Sequence, residues 1–144
     1  MKTTTLFLLS FLISVMSFGQ VDKKATKETK NLYKNLLANQ KQGVMFGHQD
    51  DLAYGLNADG TRWIEQEGRS DVKTVSGEYP AVLGWDLGKI EFDSTRDLDK
   101  VPFAKMRQYI RDTYARGGVN TFSWHLNNPV DPKKTSWDKV DSTI

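Results

Sequence analysis

The chain has 144 residues, a formal net charge of +2 and no cysteine. Without cysteine it can form neither a disulfide nor a thiolate metal site, so the fold must rest on a hydrophobic core. The 20 basic and 18 acidic side chains nearly balance and form no basic stripe, which gives no support for nucleic-acid binding. Four tryptophans, five tyrosines and seven phenylalanines suit a core, and they also suit a site for sugars, whose rings pack on aromatic planes.

Residues 1–19 have the layout of a secretory signal peptide. Lys2 precedes an apolar run from Leu6 to Met16, and small residues follow at the expected cleavage site. The run is shorter than the roughly twenty apolar residues that a membrane-spanning helix needs. We therefore expect a secreted or periplasmic protein that is free of the membrane after cleavage, with residues 20–144 in the folded part. A buried helix at the start of the chain is the alternative.

The first half of the remaining chain predicts two helices and one strand. The first helix rests on four apolar side chains at one-turn spacing, Leu32, Tyr33, Leu36 and Leu37. Ser70 is a favourable N-cap for the second helix. The predicted elements are a helix over residues 21–42, a strand over residues 44–48, a loop over residues 52–69 with local helix near residues 62–66, and a short helix over residues 70–77.

The second half predicts two strands separated by the clearest helix of the chain. An apolar stripe marks that helix and consists of Phe103, Met106, Tyr109, Ile110 and Tyr114. The predicted elements are a strand over residues 81–85, a charged loop over residues 89–100, a helix over residues 102–116 with Pro102 in its first turn, and a strand over residues 119–124.

Short apolar strands that alternate with amphipathic helices predict an α/β fold with parallel strands. Two architectures fit this order of elements, an open doubly wound sheet or the first part of an eight-stranded barrel. Periodicity does not reveal strand order, so the pattern alone leaves the choice open.

Polar and aromatic residues follow each predicted strand. The two histidines, His48 and His125, lie just past the first and third strands, and Trp85 and Asp86 close the second. In parallel α/β folds the carboxyl edge of the sheet is where ligands bind. We therefore predict a substrate-binding rim that consists of His48, Trp85, Asp86, Trp124, His125, Asn127 and Asn128. The alternative is that these are ordinary loop-entry residues that make capping hydrogen bonds.

Other chemistry-bearing patterns are weak. The chain has no nucleophile elbow, no phosphate-binding glycine loop and no zinc helix, and its spacing of possible ligands predicts no metal site. The segment from Asn57 to Gly60 is interpreted as a turn. Glu78 and Glu91 are interpreted as solvated carboxylates. For Trp137 a core contact is favoured over a sugar platform.

Three sequence strings, at residues 44–50, 80–86 and 117–129, resemble glycoside hydrolase family 26, whose best-known members are endo-β-1,4-mannanases. The resemblance covers roughly residues 28–130, and the third string is the most specific. It implies a (β/α)8 barrel, of which this chain would carry the first three βα units. It also implies a retaining mechanism with two glutamates, one after the fourth strand and one after the seventh, and no cofactor.

On this resemblance, both glutamates lie beyond Ile144, and neither Glu78 nor Glu91 replaces them. His125 matches a family histidine near the sugar that is cleaved, and His48, Trp85 and Asp86 match rim positions. The expected partner is β-mannan or a related polysaccharide, and the full-length protein is expected to be a monomer. Three strands cannot close a barrel, so we expect these 144 residues alone to aggregate or stay partly molten, without hydrolysis.

Two further hypotheses remain open. Within the family, the substrate could instead be another β-glycan, such as β-1,3-xylan or mixed-linkage glucan. Outside it, the chain could be a non-catalytic exported α/β segment that binds carbohydrate.

Overall fold

The computed structural model describes residues 22–135 and 137–139. The predicted signal peptide, residues 1–19, lies outside the described residues. The chain divides into two units, Met1–Gly43 and Val44–Ile144. Within the described part, no helix is both long enough and apolar enough to cross a membrane.

The first unit contains the helix α1 (Lys27–Asn39), which confirms the predicted helix with shorter bounds. It begins at Thr26, whose hydroxyl accepts a hydrogen bond from the Thr29 amide at 3.2 Å. This bond satisfies one of the amides that the first turn of a helix leaves unpaired. Its predicted apolar stripe is half-exposed, at 47% for Leu32 and 46% for Leu37.

Among its described residues, the second unit contains five strands and two further α-helices. In chain order they are β1 (Gly47–Gln49), β2 (Tyr54–Leu56), β3 (Arg62–Ile64), α2 (Asp71–Ser76), β4 (Val82–Asp86), α3 (Phe103–Ala115) and β5 (Val119–Ser123), with a 3-10 turn at Ile90–Phe92. A parallel sheet has the order β1-β4-β5, in which β1 pairs with β4 and β4 with β5. The predicted parallel α/β arrangement is therefore confirmed for these three strands.

The strands β2 and β3 form an antiparallel hairpin that the sequence analysis missed. The predicted local helix near residues 62–66 is wrong. The segment from Asn57 to Gly60 is a turn, as predicted, closed by the Asn57 amide on the Thr61 carbonyl at 2.8 Å. Because side chains alternate along a strand, Trp63 is buried while its neighbours in β3 stay exposed.

A single carboxylate joins this hairpin to α2. Asp71 accepts hydrogen bonds from the Leu56 amide and from the Trp63 indole, both at 2.8 Å. A Cβ on Gly55 would lie 2.1 Å from the Asp71 carboxylate, so only glycine lets the hairpin approach this closely. Ser70 caps α2 as predicted, since its hydroxyl accepts from the Lys73 amide at 2.9 Å.

The core lies between the parallel sheet and α3. Leu83 and Trp85 are fully buried, and the Trp85 ring stacks on Tyr109 with 6.0 Å between centroids. Asn120 completes the contact, because its side chain accepts from the Trp85 indole and donates to the Ile110 carbonyl. Judged from the apolar area that it buries, one such aromatic side chain contributes at most roughly 4–6 kcal/mol to the free energy of folding. The predicted stripe of α3 faces this core except for Tyr114, which is 76% exposed.

Replacing Asp71 should destabilise the hairpin. In Asp71→Ala, the amide of Leu56 and the buried indole of Trp63 lose their acceptor, which costs about 1–3 kcal/mol. Urea denaturation of the full-length protein measures this loss as a lower midpoint. The matched control is Glu78→Ala on an exposed side chain, for which we expect a change within about 0.5 kcal/mol. Equal midpoints for the two variants would contradict the assignment.

Candidate functional site

The carboxyl end of the parallel sheet is organised around Asp86, the last residue of β4. Its side chain is only 3% exposed. One oxygen, Oδ1, accepts from the Gly88 amide at 2.7 Å, and the other, Oδ2, accepts from the Ser123 hydroxyl at 2.8 Å. Asp86 and Ser123 are paired in register across β4 and β5, so both side chains point to the same face.

His125 is held against this carboxylate. Its Nδ1 makes a hydrogen bond with Asp86 Oδ2, and its backbone amide lies 3.4 Å from Oδ1. An ionised carboxylate can only accept, so Nδ1 carries the proton. In the neutral ring, Nε2 is then left as an acceptor, and the side chain is 41% exposed. The pair thus presents one oriented nitrogen at the rim.

Hydrogen bonding keeps Asp86 ionised. Burial, the largest single effect, raises the pKa of this carboxyl, but the bonds from the Gly88 amide, His125 and Ser123 together hold the pKa below its ordinary value. A carboxyl with a lowered pKa in the folded state stabilises the fold above its unfolded pKa of 3.8. That contribution is lost as pH falls through the lower folded value.

Trp137 stacks on the His125 ring, with centroids 5.5 Å apart and planes 26° apart. The side chain is 84% exposed. Trp137 is not part of the core among the described residues, and its interpretation as half of an unfinished core contact stays a prediction. An exposed indole beside an oriented imidazole forms an aromatic surface of the kind on which sugar rings pack.

Glu91 accepts two hydrogen bonds from the loop that follows β5. Its two carboxylate oxygens accept from the Asn127 amide at 3.0 Å and from the Trp124 indole at 3.2 Å. Desolvation, the largest single effect, raises the pKa of Glu91, but hydrogen bonds from backbone amides, that of Asn127 foremost, and from the Trp124 indole hold the pKa below its ordinary value. The interpretation of Glu91 as a solvated carboxylate is incomplete, because Glu91 also accepts hydrogen bonds from two predicted rim residues.

The side chains of Asn127 and Asn128 make hydrogen bonds within the same loop. The Asn127 side chain donates to the Pro132 carbonyl at 3.1 Å. The Asn128 side chain accepts from the Val130 amide at 2.8 Å and from the Asp131 amide at 3.3 Å. Their polar groups therefore hold the turn at residues 128–134, close to His125 in sequence.

Trp85 and His48 depart from the predicted rim. Successive strand residues point to opposite faces, so Asp86 faces the site while Trp85 lies in the core against α3. His48 lies within β1 and pairs with Leu83, three positions before Asp86 and on the face of Trp85. Three residues of a strand span roughly 10 Å, so His48 is separated from Asp86 along the strand direction as well as by face. The His48 side chain bonds the Gln49 carbonyl at 2.7 Å. Asp86 and His125 are thus brought together, and His48 is not placed with them.

The sequence analysis overlooked Ser123 and assigned Glu91 no role in the site. Ser123 could have been found by counting alternate residues along the third strand once its pairing with the second was assumed. Glu91 could not, because its partners Trp124 and Asn127 lie 33 and 36 residues away with no local pattern to link them.

The comparisons with known proteins identify the family of the chain. A sequence model of glycosyl hydrolase family 26 matches residues 21–143. The chain belongs to that family. The family 26 chain is 31% identical over 112 residues to a mannan endo-1,4-beta-mannosidase of Bifidobacterium adolescentis, covering 75% of this chain and 10% of that protein.

Solved structures of mannanases resemble the family 26 chain in fold. A GH26 beta-mannanase from Bacteroides ovatus superposes with a TM-score of 0.75 at 49% identity, covering 83% of this chain and 33% of the other. A modular endo-beta-1,4-mannanase from Cellulomonas fimi gives a TM-score of 0.61 at 37% identity, covering 80% and 25%. The chain therefore spans about a third or less of the length of these relatives.

Removing the Glu91 carboxylate should loosen the loop after β5. In Glu91→Ala the Asn127 amide loses its acceptor, and one hydrogen bond of about 1 kcal/mol corresponds to a several-fold change in opening. We expect hydrogen exchange at Asn127 in the full-length protein to accelerate roughly five- to tenfold. Exchange in Glu78→Ala should be unchanged. Unaltered exchange at Asn127 in Glu91→Ala would show that the carboxylate does not hold the loop.

Proposed function

We propose that the full-length protein is a retaining glycoside hydrolase that cleaves β-1,4-mannosidic linkages in mannans. Membership of family 26 supports the reaction class, and the relatives whose names specify mannan support the substrate. The observation that carries the proposal is the grouping of Asp86, His125 and Trp137 at the carboxyl end of the parallel sheet. Ligands bind at this edge in parallel α/β folds.

His125 acts in this proposal as a substrate-orienting residue. Asp86 fixes the proton on Nδ1, so Nε2 accepts a hydrogen bond from a sugar hydroxyl. Trp137 offers its exposed face to the sugar ring. Mannose has an axial 2-hydroxyl. A site whose polar groups pair with this hydroxyl would leave those groups unpaired when glucose binds, so the site would discriminate against glucose.

The loop after β5 provides the remaining contacts. Trp124 is 51% exposed even though its indole donates to Glu91, so one face of its ring stays available to substrate. Asn127 and Asn128 set the course of the loop. His48 is not assigned a contact with substrate, since it lies on the other face of the sheet from Asp86. Trp85 has no part, because it is buried in the core.

The catalytic glutamates of the proposed mechanism belong to the part of the relatives that this chain does not span. One would protonate the leaving oxygen and the other would attack to form a glycosyl-enzyme. The three parallel strands would be the first of an eight-stranded barrel, which needs about 250 residues. We propose accordingly that the 144 residues alone have no hydrolytic activity and that the complete protein is a secreted or periplasmic monomer.

Substrate assays on the full-length protein test the reaction. Incubation with mannan, β-1,3-xylan and mixed-linkage glucan should release manno-oligosaccharides from mannan fastest. Release of oligosaccharides mainly from xylan or glucan would contradict mannan as the substrate but would agree with glycoside hydrolysis as the reaction. Binding without hydrolysis of any of the three would favour the non-catalytic alternative.

Variants of the full-length protein test the role of His125. His125→Ala removes one hydrogen bond to substrate, and kcat/KM on mannan should fall roughly 10- to 100-fold, equivalent to about 1.4–2.8 kcal/mol. The matched control is Gln108→Ala on the exposed face of α3, which should retain the wild-type value. A His125→Ala enzyme with unchanged kcat/KM would refute the placement of substrate at this rim.

A further inference from the structure

The 3-10 turn at Ile90–Phe92 lies between two residues with an uncommon backbone conformation. Lys89 before it and Asp93 after it have left-handed φ angles of 76° and 52°. Asparagine and aspartate tolerate such angles, but lysine rarely adopts them, and they persist where the surrounding structure imposes them. We therefore expect a contact from outside the turn to hold it in place.

Glu91, at the centre of the turn, makes that contact. Its Oε1 accepts from the Asn127 amide at 3.0 Å, and its Oε2 accepts from the Trp124 indole at 3.2 Å. Although desolvation opposes it, these hydrogen bonds hold the pKa of Glu91 below its ordinary value, so the carboxylate is charged at neutral pH. A hydrogen bond to an ionised acceptor is stronger than one between neutral groups. One charged side chain therefore links the turn to a backbone amide and to an aromatic ring.

The indole bond determines how the Trp124 ring is presented. Trp124 directly follows β5 and remains 51% exposed. On an open surface a tryptophan has several rotamers, but its single N–H lies on one edge of the ring and meets Glu91 in few of them. The two faces of the ring carry no hydrogen-bonding group. The bond thus fixes the direction of an exposed aromatic face, on which a sugar ring can pack.

The next residue of the rim, His125, is oriented in the same manner. Its Nδ1 is held by Asp86 at the end of β4. The segment that continues from Asp86 begins against the end of β5, because the Leu87 amide donates to the Ser123 carbonyl at 2.9 Å. Two carboxylates from β4 and the turn that follows it therefore orient two consecutive rings after β5, the imidazole from Asp86 and the indole from Glu91.

We propose that Glu91 is a positioning residue that presents the face of Trp124 to a sugar unit of the substrate. This inference rests on the proposed function, which supplies β-mannan as the substrate. Glu91 acts through Trp124, since both of its oxygens already accept from donors of the protein. A sugar packed on an indole keeps that contact while the glycosidic bond breaks, so ground state and transition state gain equally. Trp124 therefore affects how tightly the substrate binds and leaves the rate of its cleavage unchanged.

Kinetics of the full-length protein on mannan test this role. Glu91→Ala releases the indole, and we expect KM to rise roughly three- to tenfold while kcat stays within about twofold of the wild type. Trp124→Phe keeps an aromatic ring without an N–H, so adding Glu91→Ala to it should raise KM no further. Asp93→Asn is the matched control and should keep the wild-type KM. It removes an exposed carboxylate beside the same turn, and asparagine tolerates the left-handed backbone there.

Nuclear magnetic resonance of the full-length wild type tests the contact without substrate and without a variant that must fold. The Trp124 indole N–H should exchange with water more slowly than an exposed indole, because it is bonded to a carboxylate. As pH falls through the folded pKa of Glu91, which lies below the ordinary 4.5, the acceptor becomes protonated and the indole resonance should shift. A Trp124 resonance that keeps its position through this titration would overturn the proposal.

The kinetic results separate a failure of this role from a failure of the proposed function. A wild type that neither cleaves nor binds mannan would refute the proposed function, and the role of Glu91 with it. A wild type that cleaves mannan, together with a Glu91→Ala variant of equal KM, would refute the role of Glu91 alone. So would a further rise in KM when Glu91→Ala is added to Trp124→Phe, because the effect would then pass through the Asn127 amide and not through the ring.

Discussion

The Asp86 carboxylate is the interaction on which the candidate site depends. It sits at the end of the central strand, where it receives a backbone amide, a serine hydroxyl from the neighbouring strand and the Nδ1 of His125. Each bond favours the ionised form, so burial does not neutralise the group. The carboxyl end of the sheet thereby fixes the orientation of the His125 ring, although His125 itself lies on a loop. Support from a rigid strand is what allows a loop residue to keep a defined geometry.

Asp50 lies one strand away and shows the opposite behaviour. It is as deeply buried as Asp86, but its carboxylate oxygens have no hydrogen-bond partner among the described residues, and burial, followed by the charges of acidic neighbours, raises its pKa. The two carboxylates differ because Asp86 receives hydrogen bonds from the Gly88 amide and from Ser123 and His125, whereas Asp50 follows β1 in a left-handed conformation and its carboxylate oxygens have no partner among the described residues. Environment, and not residue type, sets whether each group carries a charge.

The sequence predicted the parallel sheet and the helix α3 because both depend on local periodicity. It also placed Asp86 and His125 at one edge, since parallel strands end together. The sequence analysis failed where it did not apply the alternation of side chains along a strand, where it did not use a turn signal, and where the two partners of a contact are far apart in sequence. Trp85 follows the period of two into the core, and the turn before Arg62 should have indicated a hairpin. The bond from Glu91 to Asn127 joins residues 36 apart, which no pattern in one sequence reveals.

A crystal structure of the full-length protein with a bound manno-oligosaccharide would be the most direct test of how the rim works. The account predicts a sugar hydroxyl within hydrogen-bonding distance of His125 Nε2, with the Nδ1 bond to Asp86 intact and a sugar ring against Trp137. A sugar bound at another face, or a His125 ring turned away from Asp86 in the complex, would contradict it.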